Sequence, residues 1–163
     1  MTEQRDVLRR LAEAEARFVV IGGVAAKLHG SAYVTFDLDL AYERTRDNAK
    51  RIATALLSLH PRPRGLPHDL PFVFDAQTLI SAEVLTLETD AGDVDLLGAV
   101  KGVGPYSAVE ASSELVDLAG FSVRILSIDG LIRAKRAAGR PKDEPGLIEL
   151  EMLKEARLAN GER

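Results

Sequence analysis

Two carboxylates, Asp37 and Asp39, stand one residue apart in "GSAYVTFDLDLAY", residues 30–42, where most other positions are apolar. In an extended strand, side chains i and i+2 share a face, so Asp37 and Asp39 point one way while Phe36, Leu38 and Leu40 point towards a core. Neighbouring acids repel each other, and an ionised carboxylate taken out of water without a partner costs several kcal/mol. Either this is an exposed edge strand whose acids face water, or a cation stands between them. The chain has no cysteine and three scattered histidines. The expected cation is therefore a hard divalent ion such as Mg²⁺, which favours carboxylate and water oxygens.

A pair of carboxylates seldom completes such a site. In "GDVDLLG", residues 92–98, Asp95 lies between Val94 and Leu96 and repeats the pattern of the first pair. Asp93 projects from the same face but lies nearer a turn, and it stands as the alternative third acid. Gly22 and Gly23, fifteen and fourteen residues before Asp37, end the β-branched run "RFVVIGG". Backbone N–H groups at such a turn can meet an anion, although glycine's freedom in φ would also suit a plain tight turn. A phosphate cradle beside a carboxylate-bound metal would make a nucleotide site.

In "IGGVAAKLHGSAYVTFDLDL" the order is a Gly-Gly turn, a short helix and an Asp-x-Asp strand. This arrangement resembles the nucleotidyltransferases of the polymerase-β superfamily, in particular their AbiEii and MNT-like branches. "GDVDLLG" is similar to the strand that supplies their third acid, and "LSIDGLIRAKRAAGRPKDEPGLIELEMLK" to their helical tail. The resemblance implies that Gly22, Gly23 and Thr35 contact the nucleotide. It implies that Asp37, Asp39 and Asp95 hold two Mg²⁺ ions, with Mn²⁺ able to substitute, and that Asp95 lies nearest the nucleophile. Lys135 matches a functional lysine of related toxins, and Arg140, Lys142 and Asp143 match a segment that closes the site; Lys135 and Lys142 join the nucleotide contacts. Tyr33 stands where many relatives carry arginine, and Gly-Gly where many carry Gly-Ser.

The implied activity is Mg²⁺-dependent transfer of a nucleoside monophosphate from an NTP to a hydroxyl of RNA, such as tRNA, or of protein. The implied setting is toxin–antitoxin or phage defence, with a cognate toxin or antitoxin as partner. The alternative is a non-catalytic, antitoxin-like or scaffold protein that keeps the fold and binds a partner chain.

The elements that must position these residues follow from periodicity. "EQRDVLRRLAEAEA" spaces Val7, Leu8, Leu11 and Ala12 as one helical stripe, and "TRDNAKRIATALLSL" does the same with Ile52, Ala53, Leu56 and Leu57. "VAAKLHG" reads as a short helix closed by Gly30, with His29 capping or packing at its end. "HPRPRGLPHDLP", rich in proline, reads as a loop. "EVLTLETDAGDVDLLG" and "ELVDLAGFSVRILS" read as hairpins. From Ser127, a suitable N-cap, the chain turns helical, halts at Gly139 and Pro141, and resumes near Asp143. The basic run Arg133, Lys135, Arg136 and Arg140 is either a solvated helix face or an anion site.

This mixture indicates an α+β fold, a small mixed sheet covered by helices. The expected division is a core over residues 1–126 and a helical segment packed on it over 127–163. The composition, 46% hydrophobic and 28% charged, is that of a globular chain. A net charge of −4 gives no general affinity for nucleic acid, although the basic helix could still hold RNA. The amino end is charged where a secretory signal would be apolar, and no run reaches membrane-span length. A cytoplasmic location without membrane association is expected.

Overall fold

The computed structural model describes residues 2–162. Helix α1 (Thr2–Glu13) leads into strand β1 (Phe18–Ile21), α2 (Gly22–Leu28), β2 (Leu38–Tyr42) and α3 (Arg46–Leu56). There follow β3 (Arg62–Pro63), α4 (Ala76–Ser81), β4 (Val84–Thr89), β5 (Gly92–Leu97), β6 (Ala99–Val100), β7 (Gly104–Pro105) and α5 (Tyr106–Ala111). The chain ends through β8 (Ser113–Asp117), β9 (Ser122–Leu126), α6 (Ile128–Ala138) and α7 (Glu144–Ala159).

The main sheet has seven strands in the order β3-β4-β5-β2-β1-β9-β8. Three antiparallel neighbours, β3-β4, β4-β5 and β8-β9, flank a mixed centre in which β1 runs antiparallel to β2 and parallel to β9, while β2 runs parallel to β5. All four residues of β1 are buried, as expected of a strand covered on both faces. This is the mixed α+β architecture expected from the sequence, with a long C-terminal helix.

Both expected hairpins form, β4-β5 turning through Asp90 and Ala91 and β8-β9 through Ala119 and Gly120 at positive φ. Ser127 caps α6, its Oγ accepting from the Gly130 N–H, and Gly139 ends that helix in the left-handed conformation. α6 buries Ile128, Leu131 and Ile132, and α7 packs along it, burying Leu150. His29 follows α2 and is buried; its Nε2–H donates to the Leu126 carbonyl at 2.8 Å and its Nδ1 accepts from Arg157 at 2.9 Å. Burial pushes this imidazole below its ordinary pKa, which suits its accepting role. One neutral ring thus ties α2, β9 and α7 together.

Several expectations need correction. Phe36 does not join the core face: it is 83% exposed, and strand β2 begins only at Leu38. The reason is pairing, because β1 ends at Ile21 opposite Asp39, where the chain turns into α2 and leaves the residues before Asp39 without a partner on that side. Asp37 therefore lies just outside the strand. Leu57 is likewise exposed, since α3 stops at Leu56 and tightens into a 3₁₀ turn that rotates the apolar stripe. The proline-rich stretch is not wholly irregular, because Arg62 and Pro63 pair with Glu88 and Leu87 at the sheet edge. The edge-strand reading of the two acids also fails: β2 is central, between β1 and β5.

Leu38 and Leu40 are fully buried beside Val94 and Leu96, their partners in the parallel ladder. Leu40→Ala should cost about 2–5 kcal/mol, from lost transfer energy and the residual cavity. A urea titration followed by circular dichroism should show the lower midpoint with an unchanged slope.

Candidate functional site

Register decides which acids meet. In the β2-β5 ladder Leu38 faces Val94 and Asp39 faces Asp95. Their apolar neighbours enter the core and both carboxylates emerge on the opposite face, close enough that Asp95 disfavours the charged form of Asp39. Asp37 approaches from the segment before β2. Burial raises the Asp39 pKa, the Asp95 and Asp37 carboxylates add to it, and together they push it to about 6; the field of Arg140 opposes this.

The glycines are shaped by the same carboxylate. Gly22 adopts φ +64°, and a Cβ there would lie 2.3 Å from Asp39 Oδ2. A side chain at Gly22 would displace Asp39 besides straining the backbone. Gly23 lies against Thr35, where a Cβ would come within 2.7 Å of the Thr35 Cβ. The Thr35 hydroxyl donates to the Asp37 carbonyl at 3.3 Å, bracing the approach to the strand. Gly22 and Gly23 open α2 itself rather than a loop before it.

These residues line one wall of an open cavity of about 720 Å³, a size usual for small-molecule sites. Another wall comes from α6 and the turn after it, where Lys135, Arg140, Lys142 and Asp143 line the space. Asp143 is mostly buried; Arg140 Nε donates to it at 2.6 Å and Lys135 Nζ lies 3.5 Å away. Burial works against its charge, but the two cations hold its carboxyl below the ordinary value. Arg133 and Arg136 reach Ser112 and Glu151 instead. The basic run is thus split, with Lys135 and Arg140 at the cavity and the other two outside it.

Asp37, Asp39, Asp95, Gly22, Gly23, Thr35, Lys135 and Lys142 all line this cavity; Asp93 does not. Sequence reasoning missed Arg64, whose Nη2 donates to Asp95 Oδ1 at 2.7 Å and whose Nε lies 3.1 Å from Asp93 Oδ2. It sits inside the proline-rich stretch, and its only signal was an arginine between two prolines and a glycine. Glu149 was missed too: it accepts from Ser31 Oγ at 2.6 Å and from the Ala32 N–H at 2.8 Å, tying α7 to the segment that carries exposed Tyr33.

Among the described residues, no three His, Asp or Glu side chains converge as a preformed metal site. The donor chemistry still suits a hard divalent ion. Only carboxylate oxygens are offered, Asp37 and Asp39 have no ion-pair partner among the described residues, and the cavity has room for a ligand bringing its own oxygens.

The raised Asp39 pKa has a stability consequence. Its ordinary value is 3.8 and its folded value about 6, so the folded state is favoured while Asp39 is protonated. That contribution is fully present below pH 3.8 and is lost as pH rises through about 6. In metal-free buffer, Asp39→Asn should raise stability at pH 7 by up to roughly 3 kcal/mol. Melting curves of both proteins between pH 4 and 8 would show the gap widening upwards.

No protein-family model matches the chain, and no curated protein sequence matches it. Solved structures do. One is a proposed nucleotidyltransferase of Thermotoga maritima, at 17% identity and a TM-score of 0.57, over 88% of this chain and 89% of that one. Another is the solution structure of the antibiotic-resistance factor ANT(2'')-Ia, at 18% identity and a TM-score of 0.60, over 96% of this chain and 83% of that one. A crystal structure of ANT(2'')-Ia in complex with adenylyl-2''-tobramycin matches at 16% identity and a TM-score of 0.58, over 98% of this chain and 97% of that one. The chain has the fold of the nucleotidyltransferases.

Proposed function

We propose that the chain is a Mg²⁺-dependent nucleotidyltransferase that moves a nucleoside monophosphate from an NTP to a hydroxyl group, releasing pyrophosphate. The observation that carries this reading is the pairing of Asp39 with Asp95, near Asp37, at a cavity that Gly22, Gly23, Lys135, Arg140 and Lys142 also line. Mg²⁺ commonly binds through one or two carboxylates together with substrate phosphates, so a site completed by the nucleotide needs no preformed protein cage.

In this reading Asp37, Asp39 and Asp95 would hold two ions, whose chemistry is to neutralise phosphate charge and favour the ionised acceptor hydroxyl. The acceptor oxygen bonds to the α-phosphorus, the bond from that phosphorus to the departing pyrophosphate oxygen breaks, and Asp95 takes the hydroxyl proton. The backbone at Gly22 and Gly23 receives the triphosphate, with Thr35 beside it, while Lys135 and Lys142 offset the charge of its oxygens. Asp143 keeps Lys135 and Arg140 aimed at the cavity.

The acceptor we assign is RNA in preference to protein. Of the cations lining the cavity, Lys135 and Lys142 serve the triphosphate and Arg140 is paired with Asp143, which leaves Lys101 for the acceptor. A cation there suits an acceptor bearing phosphates. The toxin–antitoxin setting, with a cognate partner, rests on the sequence resemblance.

A second reading, a non-catalytic protein that binds a partner chain, is favoured by one observation: Tyr33, Val34 and Phe36 expose a run of large apolar side chains beside the cavity. Nucleotide binding separates the two. NTP with Mg²⁺ at 100 times its dissociation constant should stabilise the enzyme by about 2.7 kcal/mol. Incubation with each labelled NTP, Mg²⁺ and cellular RNA should label RNA, and Asp39→Ala should lower the rate about 100-fold or more. Absence of both stabilisation and label would favour the partner-binding reading.

A further inference from the structure

We propose that Arg64 is a resident cation of the carboxylate site, holding Asp95 in the nucleotide-free protein and thereby setting how tightly a divalent ion binds before NTP arrives. The proposal rests on the nucleotidyltransferase reading and concerns a residue that reading does not use.

Arg64 is placed deliberately by the backbone. Arg62 and Pro63 pair with Glu88 and Leu87, and the Arg64 N–H donates to the Thr86 carbonyl at 2.9 Å. Thr86 is the β4 partner of Asp95. The guanidinium therefore starts beside the strand next to Asp95 and reaches across it, with Nη2 2.7 Å from Asp95 Oδ1 and Nε 3.1 Å from Asp93 Oδ2. Proline at position 63 narrows the backbone on the N-terminal side of this arm.

The effect on the site is electrostatic and geometric together. Of Asp37, Asp39 and Asp95, only Asp95 has an ion-pair partner among the described residues, and that partner is Arg64. A guanidinium on Asp95 occupies one of its oxygens and repels any dication brought to the other. An ordinary solvent-exposed ion pair would contribute little to stability, so the consequence should be seen in metal affinity rather than in melting temperature. Arg64 is in this sense a positioning residue: it acts through Asp95.

Titration of Mn²⁺ into the protein, followed by electron paramagnetic resonance, tests the idea without NTP and without turnover. Arg64→Ala should bind Mn²⁺ about tenfold more tightly than wild type. Arg64→Lys, which keeps the charge but loses the fork that reaches both Asp93 and Asp95, should fall between wild type and Arg64→Ala. Circular dichroism of each variant establishes that it is folded. Unchanged or weaker Mn²⁺ binding by Arg64→Ala, with wild type binding normally, would overturn the proposal and leave the enzymatic reading intact. If neither protein bound Mn²⁺ even with NTP present, both would fall.

Discussion

Two carboxylates in register on adjacent parallel strands govern the rest of this molecule. Asp39 and Asp95 face each other on adjacent central strands of the sheet, at the wall of the open cavity. Burial, with the added repulsion of Asp95 and Asp37, raises the Asp39 pKa to about 6. The surroundings are arranged around that cost. Gly22 gives up its side chain so that the Asp39 carboxylate has space, Arg64 compensates Asp95 from the sheet edge, and α6 with its following turn carries cations to the same cavity. Functional sites commonly keep charges that the fold alone would discard.

The C-terminal helices serve this site as well as the core. α6 is fixed by the Ser127 cap and by Ile128, Leu131 and Ile132 beneath it. That anchoring fixes where Lys135 emerges, one turn further along. α7 buries far less, but two of its polar side chains reach back: Glu149 to the backbone at Ser31 and Ala32, and Arg157 to His29. The segment leading to Asp37 is thus held from α7 and, through Gln4 bonding the Phe36 carbonyl, from α1. Exposed side chains on a braced backbone give a firm lip beside the cavity.

The similarity to solved nucleotidyltransferases extends over most of the chain at 16–18% identity. At that level shared packing is what is shown, and the chemistry must be argued from side chains. In this chain the argument is carried by one cavity that brings together Asp37, Asp39 and Asp95, Gly22 and Gly23, three lysines and Arg140.

The alternation of apolar residues with Asp39 and Asp95 was legible in the sequence, because a strand's two-residue period shows which side chains share a face. So were both hairpins, the Ser127 cap and the stop at Gly139, each written in local residue chemistry. Other features depended on partners distant in the chain. Phe36 fits the alternation but falls outside the sheet, since β1 has already turned into α2 opposite it. The choice of Asp95 over Asp93 came from which residue lies against Asp39 across the ladder. Arg64 entered the site because a two-residue edge strand laid its backbone against Thr86, over twenty residues away in sequence. Local pattern records which face a side chain takes; long-range pairing decides what stands opposite it, and the electrostatics of this site depend on that second choice.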